Sequence, residues 1–287
     1  MQSLSWRWAF LINVPILLAV LVAALARLAP MPGAAGTRLR LPTAVVATLG
    51  IGLLCFGLTR LHEGPAEPWP WLALAASAVV LTLLVRHQNR ADDPLLPVSL
   101  LRVRAYAWAG FGLLLAATLM LGTLYLASDH LQNTRGLSPL ETGLALLPLC
   151  LGSLVAAIAI PCLVDRVGMA RVHLSGVVVQ LAAILAIVAA TSEGDTAVLI
   201  AALGVFGLGL PTMFVPLYTA GSTPIPPERA GVGSGLLNTF NEAGAAVGLA
   251  VVAPVAAASG THAGFLALAV VALLAGVTAI ALGRTET

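Results

Sequence analysis

Apolar positions in this chain come in long continuous runs. The stretches 8–26, 41–60, 69–85, 106–128, 142–164, 172–191, 196–217, 230–257 and 263–283 consist mostly of Ala, Leu, Val, Ile and Gly. A helix needs about 20 such residues to cross a hydrocarbon core of about 30 Å. Half-buried strands would alternate apolar and polar positions with a period of two, and these runs do not. Helices also satisfy their backbone hydrogen bonds internally, as lipid requires. The pattern therefore predicts an all-α, polytopic membrane protein with nine transmembrane helices.

Composition supports the same class. The 287 residues are 59% hydrophobic and 9% charged, with a mean hydropathy of +1.00. A soluble domain carries about a quarter charged residues, so these charges are too few to coat a water-facing surface. The 28 Gly and 18 Pro lie mostly in or between the apolar runs, and both are more frequent in transmembrane helices than in soluble ones. All 14 basic residues are Arg. None forms a run that would suit a nucleic acid.

The arginines set an expected orientation. With the N-terminus outside, the inner connections hold Arg27, Arg38, Arg40, Arg86, Arg90, Arg102, Arg104, Arg166, Arg171 and Arg229, and the tail adds Arg284. Outside remain Arg7, Arg60 and Arg135, a split of 11 to 3. Positive charge favours the cytoplasmic side, so the C-terminus is expected to be cytoplasmic. Trp6, Trp8, Trp69, Trp71, Tyr106 and Trp108 stand at span ends as interfacial anchors. Arg7 and the following apolar run resemble a signal peptide, but Arg27, Arg38 and Arg40 just beyond it oppose translocation. An outer N-terminus this short suggests further sequence upstream.

Candidate chemistry is sparse. Cys55, Cys150 and Cys162 lie in apolar runs without C-x-x-C spacing. His62, His87, His173 and His262 fall near span ends without metal-ligand spacing, and Asp129 and His130 read as interfacial. No cofactor or metal is expected. Glu242 is the acid placed well inside a predicted span. Insertion scales put such a charge at about 2.5–3.5 kcal/mol, so it should face the bundle or a wet cavity. Asn238 lies one turn before it and Asn241 beside it. Two readings stay open: a proton or substrate site, or polar glue between helices. Gly204, Gly207, Gly209, Pro211 and Pro216 crowd one span and suit either a gating bend or close packing. The string 231–235 lacks the Lys-Ser/Thr of a phosphate loop.

Four segments carry a resemblance. Ser5-Trp6-Arg7-Trp8-Ala9-Phe10-Leu11-Ile12-Asn13-Val14-Pro15 resembles the W-R-W-x-F-x-I-N-V-P signature of the fourteen-helix drug–proton antiporters of the major facilitator superfamily. Residues 131–143, with Leu131-Gln132, Gly136 and Ser138-Pro139-Leu140, resemble that family's L-Q-x-x-x-G-x-S-P-L stretch, with His130 and Thr142 replacing its Tyr and Ala. Asp165, Arg166 and Gly168 match the D-R-x-G core of its cytoplasmic loop motif. Residues 230–239 resemble its A-G-x-x-S-G-x-x-N-T helix start.

The resemblance implies the C-terminal portion only. Residues 1–26 correspond to the sixth helix, 27–104 to two extra linker helices with cytoplasmic loops, and 105–287 to the C-terminal six-helix half. It also implies a multi-pass protein of the bacterial inner membrane. Its function would be proton-coupled efflux of small hydrophobic or cationic drugs, as part of a longer protein. The partners would be substrate, protons, the lipid bilayer and the missing N-terminal helices, in cis or trans. The alternative is a truncated remnant or separately encoded half without independent transport. A membrane enzyme is disfavoured because no facing nucleophile, base or metal cluster is evident.

Overall fold

The computed structural model describes residues 11, 13–27, 41–63, 67–90, 98–227 and 230–284. Most of the opening signature lies outside them, as do Arg7, Arg38, Arg40 and Arg229. The described residues are helical, with no strand among them. The chain divides into two units, residues 1–40 and 41–287.

The first unit contributes one helix, α1 (Asn13–Arg27), which ends on a basic residue. The second contains α2 (Leu41–Glu63), α3 (Pro68–Arg90), α4 (Arg104–Asp129), α5 (Pro139–Ala145), α6 (Leu147–Val167), α7 (Met169–Glu193), α8 (Thr196–Ser222), α9 (Ala230–Ser259) and α10 (Thr261–Gly283). Among the described residues, seven segments are long and apolar enough to cross a membrane, with α5 and α6 forming one of them. Two shorter apolar stretches, Asn13–Arg27 and Val45–Gly57, lie in the first two predicted spans. The apolar helices thus occupy all nine predicted positions.

Local sequence explains several boundaries. Gly136 has φ +68° and turns the chain ahead of α5. Ser138 then caps α5. Its backbone N–H donates to Glu141 Oε2 at 2.8 Å, and its Oγ accepts from the Glu141 N–H at 3.3 Å, a reciprocal capping box. Pro148 lies in the first turn of α6, where its missing N–H costs least. Asp195 caps α8 by accepting from Ala197 and Val198. Gly194 ends α7 in the left-handed conformation.

Helix α4 is the axis of the second unit and packs against α8, α9 and α10. Helix α8 packs between α6 and α7, and α10 also contacts α7. The core between them holds Leu113, Leu119, Leu126, Phe206, Met213 and Phe265, all fully buried. Helices α2 and α3 form a hairpin, and α2 also touches α9. Outward faces stay apolar, with Leu140 and Ile158 each 74% exposed. In water such a surface would drive association, whereas hydrocarbon solvates it.

The glycine-rich span resolves in favour of packing at two positions. A Cβ on Gly207 would overlap the Leu149 carbonyl, and one on Gly209 would overlap the Gln180 side chain. Small residues let α8 approach α6 and α7 at backbone distance. Pro211 lies inside α8, so the Gly207 carbonyl loses its i+4 donor. The Ser153 hydroxyl of α6 lies 3.0 Å from the Gly207 oxygen and equally 3.0 Å from the Leu149 carbonyl of its own helix, so the two acceptors share it.

Candidate transport site

The site is built on α9, whose two faces differ. Gly244 and Gly248 let one face lie directly on α4. A Cβ on Gly244 would overlap the Leu114 carbonyl, and one on Gly248 would stand 2.8 Å from the Thr118 carbonyl oxygen. Thr118 Oγ1 donates to the Gly244 carbonyl at 2.7 Å, and Tyr106 Oη donates to the Gly233 carbonyl at 2.8 Å. Leu237 is fully buried on the same side. These contacts fix the rotation of α9 about its own axis.

That rotation turns Ser234, Asn238 and Glu242 outward. They are spaced by four residues, so they form a stripe along the helix, and all three are exposed. Tyr218 of α8 reaches the stripe, its Oη donating to Asn238 Oδ1 at 3.4 Å. Asn241 Nδ2 donates to Glu242 Oε1, also at 3.4 Å. The side-chain oxygen of Asn241, Oδ1, is buried without a partner. The three polar residues singled out from the sequence on this helix therefore share one region. Tyr218 joins them from 20 residues upstream, and nothing in the local pattern of its own span would have marked it.

Asp165, Arg166 and Gly168 lie elsewhere, at the connection of α6 and α7. Both charged side chains are exposed. Gly168 has φ +83°, a conformation glycine adopts without penalty, and its N–H closes α6 on the Val164 carbonyl at 2.9 Å. The D-R-x-G segment is thus the end of α6 and a one-residue glycine link to α7.

Sequence reasoning passed over two polar residues on α7. His173, read as a span-end residue, is wholly buried, with Nε2 3.0 Å from Thr278 Oγ1 of α10. Its other ring nitrogen lies against the Met213 backbone without a well-formed hydrogen bond. Gln180, seven residues on, is also wholly buried, and both of its amide atoms lack partners. Their i, i+7 spacing inside an apolar run was the available signal. Among the described residues, no group of three or more His, Cys, Asp or Glu side chains could hold a metal ion.

Comparison with known proteins agrees with this architecture. The family model described as Major Facilitator Superfamily matches residues 1–249. The lincomycin resistance protein of Streptomyces lincolnensis is 32% identical over 87% of this chain and 52% of its own length. The multidrug resistance protein Stp of Mycobacterium tuberculosis is 28% identical over 88% of this chain and 47% of its own. The uncharacterized transporter YebQ of Escherichia coli is 30% identical over 94% of this chain and 60% of its own. The chain spans about half the length of these curated relatives. The matched family model and the apolar helical bundle together show that this chain is a multi-pass membrane protein belonging to the Major Facilitator Superfamily.

Proposed function

We propose that this chain is the C-terminal portion of a proton-coupled exporter of small hydrophobic or cationic molecules. The observation that carries the reading is the outward polar stripe of α9, ending in the exposed carboxylate of Glu242. A carboxylate on a lipid-facing surface at membrane depth is costly. The stripe therefore belongs against a wet path or a further protein segment. The names of the relatives, which speak of resistance and multidrug resistance, favour export as the activity.

On this reading residues 1–26 are the sixth helix, 27–104 carry two linker helices, and 105–287 are the C-terminal half. The remaining helices come in cis or in trans. The N-terminus faces outward and the C-terminus lies in the cytoplasm, as the arginine distribution favours. Substrate passes between the halves as they rock about a midplane site. Glu242 takes a proton from outside and is neutral while occluded. It releases the proton inward, so protonation biases which side is open. Asn241 orients the carboxylate, and Asn238 with Tyr218 supplies polar contacts beside it. The exposed Asp165–Arg166 pair, on its glycine turn, latches one conformation.

The test uses the complete transporter in proteoliposomes with an imposed pH gradient. Glu242→Gln is expected to abolish proton-driven substrate movement while leaving the protein folded. Undiminished proton-driven efflux by this variant overturns the assignment.

A further inference from the structure

The α2–α3 hairpin is closed at one end and open at the other. At the closed end Gly57 lies against Leu74 and 3.1 Å from the Pro70 carbonyl oxygen, counted to an added Cβ. Midway, Ser77 Oγ donates to the Gly50 carbonyl at 2.7 Å. Both glycines let the helices touch. Beyond Gly50 they separate and leave a groove of about 330 Å³, walled by Val46, Val80, Leu83 and Leu84. Thr43 and His87 stand at its polar end. A second depression runs along the other flank of Leu83, past Val79 and Thr82 to Arg86.

An apolar groove ending on Thr43 and His87, beside a depression that reaches Arg86, matches an amphiphile. Its chain replaces water or loose lipid along Leu83, and its headgroup meets the charge at the helix end. Among the described residues, no acidic residue lines either groove. The depression at the opposite end also holds an arginine, Arg60, but shares it with Glu67, and the Arg60 guanidinium sits over the Phe56 ring. There the cation shares its depression with a carboxylate, whereas among the described residues the depression that reaches Arg86 holds none. Basic pockets between transmembrane helices favour anionic headgroups.

We propose that the open end of the α2–α3 hairpin binds an anionic phospholipid, its acyl chain lying along Leu83 and its phosphate held by Arg86 with His87 and Thr43. The site lies on the hairpin and does not involve the α9 stripe, so it stands whether or not Glu242 carries protons.

The test is native mass spectrometry of the full chain, purified in mild detergent and offered phosphatidylglycerol or phosphatidylethanolamine with identical acyl chains. Phosphatidylglycerol should be retained preferentially. Arg86→Gln should lower its retention roughly fivefold and leave phosphatidylethanolamine unchanged. Leu83→Trp, which fills the groove, should lower retention of both lipids. Arg60→Gln, at the other end, should leave the preference intact. Equal retention of the two lipids by the unaltered protein overturns the proposal. So does a preference that survives Arg86→Gln, or one lost equally in Arg60→Gln. If Arg86→Gln does not fold, undiminished retention of phosphatidylglycerol in Leu83→Trp overturns it independently.

Discussion

Two groups of polar side chains sit in the apolar helices of this bundle, and their surroundings are opposite. His173 and Gln180 of α7 and Thr278 of α10 are sealed inside, among α7, α8 and α10. Ser234, Asn238 and Glu242 of α9 are exposed. The inner group behaves as structural glue, since its His173–Thr278 contact joins two helices at 3.0 Å. The outer group joins α9 to α8 only through the longer Tyr218–Asn238 contact of 3.4 Å. In hydrocarbon a polar side chain can find a partner inside the bundle or face a wet space, because lipid offers it neither donors nor acceptors. The comparison teaches that polarity at membrane depth does not by itself mark a transport site. The decisive property is which way the residue faces.

Accessibility should separate the two groups most sharply. In a background lacking the native cysteines, Asn238→Cys should react fully with a membrane-impermeant maleimide under conditions that leave Gln180→Cys unmodified. Equal labelling of both positions would erase the distinction. Next in size is the effect of removing one partner of the inner pair. Thr278→Val keeps the shape of the side chain but leaves a buried His173 nitrogen without its contact. It should cost about 2 kcal/mol, within the range for stranding a buried polar group, and be seen as a lower melting temperature of the purified protein. The smallest effect has the opposite sign. Gln180→Met keeps the volume and removes an amide with both atoms unpaired, so stability should rise by about 1 kcal/mol. A drop in melting temperature for this variant would show that the amide is paired in the membrane.

Much of the fold was legible from the chain alone. Runs of about 20 apolar residues mark spans because the thickness of the hydrocarbon core sets a minimum length, and each of the nine predicted spans holds an apolar helix. The Ser138–Glu141 capping box that starts α5 went unread, although its groups are local in sequence. Glu242, Asn238 and Asn241 could be grouped on α9 because helical spacing places i and i+4 on one face. His173 does lie near the start of its span, but its burial was not legible because that depends on α8 and α10, which are distant in sequence. Gln180 drew no attention because an uncharged amide barely interrupts an apolar run.

By itself, then, the sequence determined that the chain is a set of membrane helices, where most of them begin and end, and which residues are costly to place there. These properties depend on local composition and on the contrast between water and hydrocarbon. Only the tertiary structure decided which face of each helix is covered. The Gly244 and Gly248 contacts with the α4 backbone set the rotation of α9 and so expose Glu242. The Gly209 approach to α7 closes over Gln180. Helix rotation is settled by close packing between segments far apart in the chain, and in lipid, where hydrophobicity does not distinguish one apolar face from another, that packing is what remains to settle it.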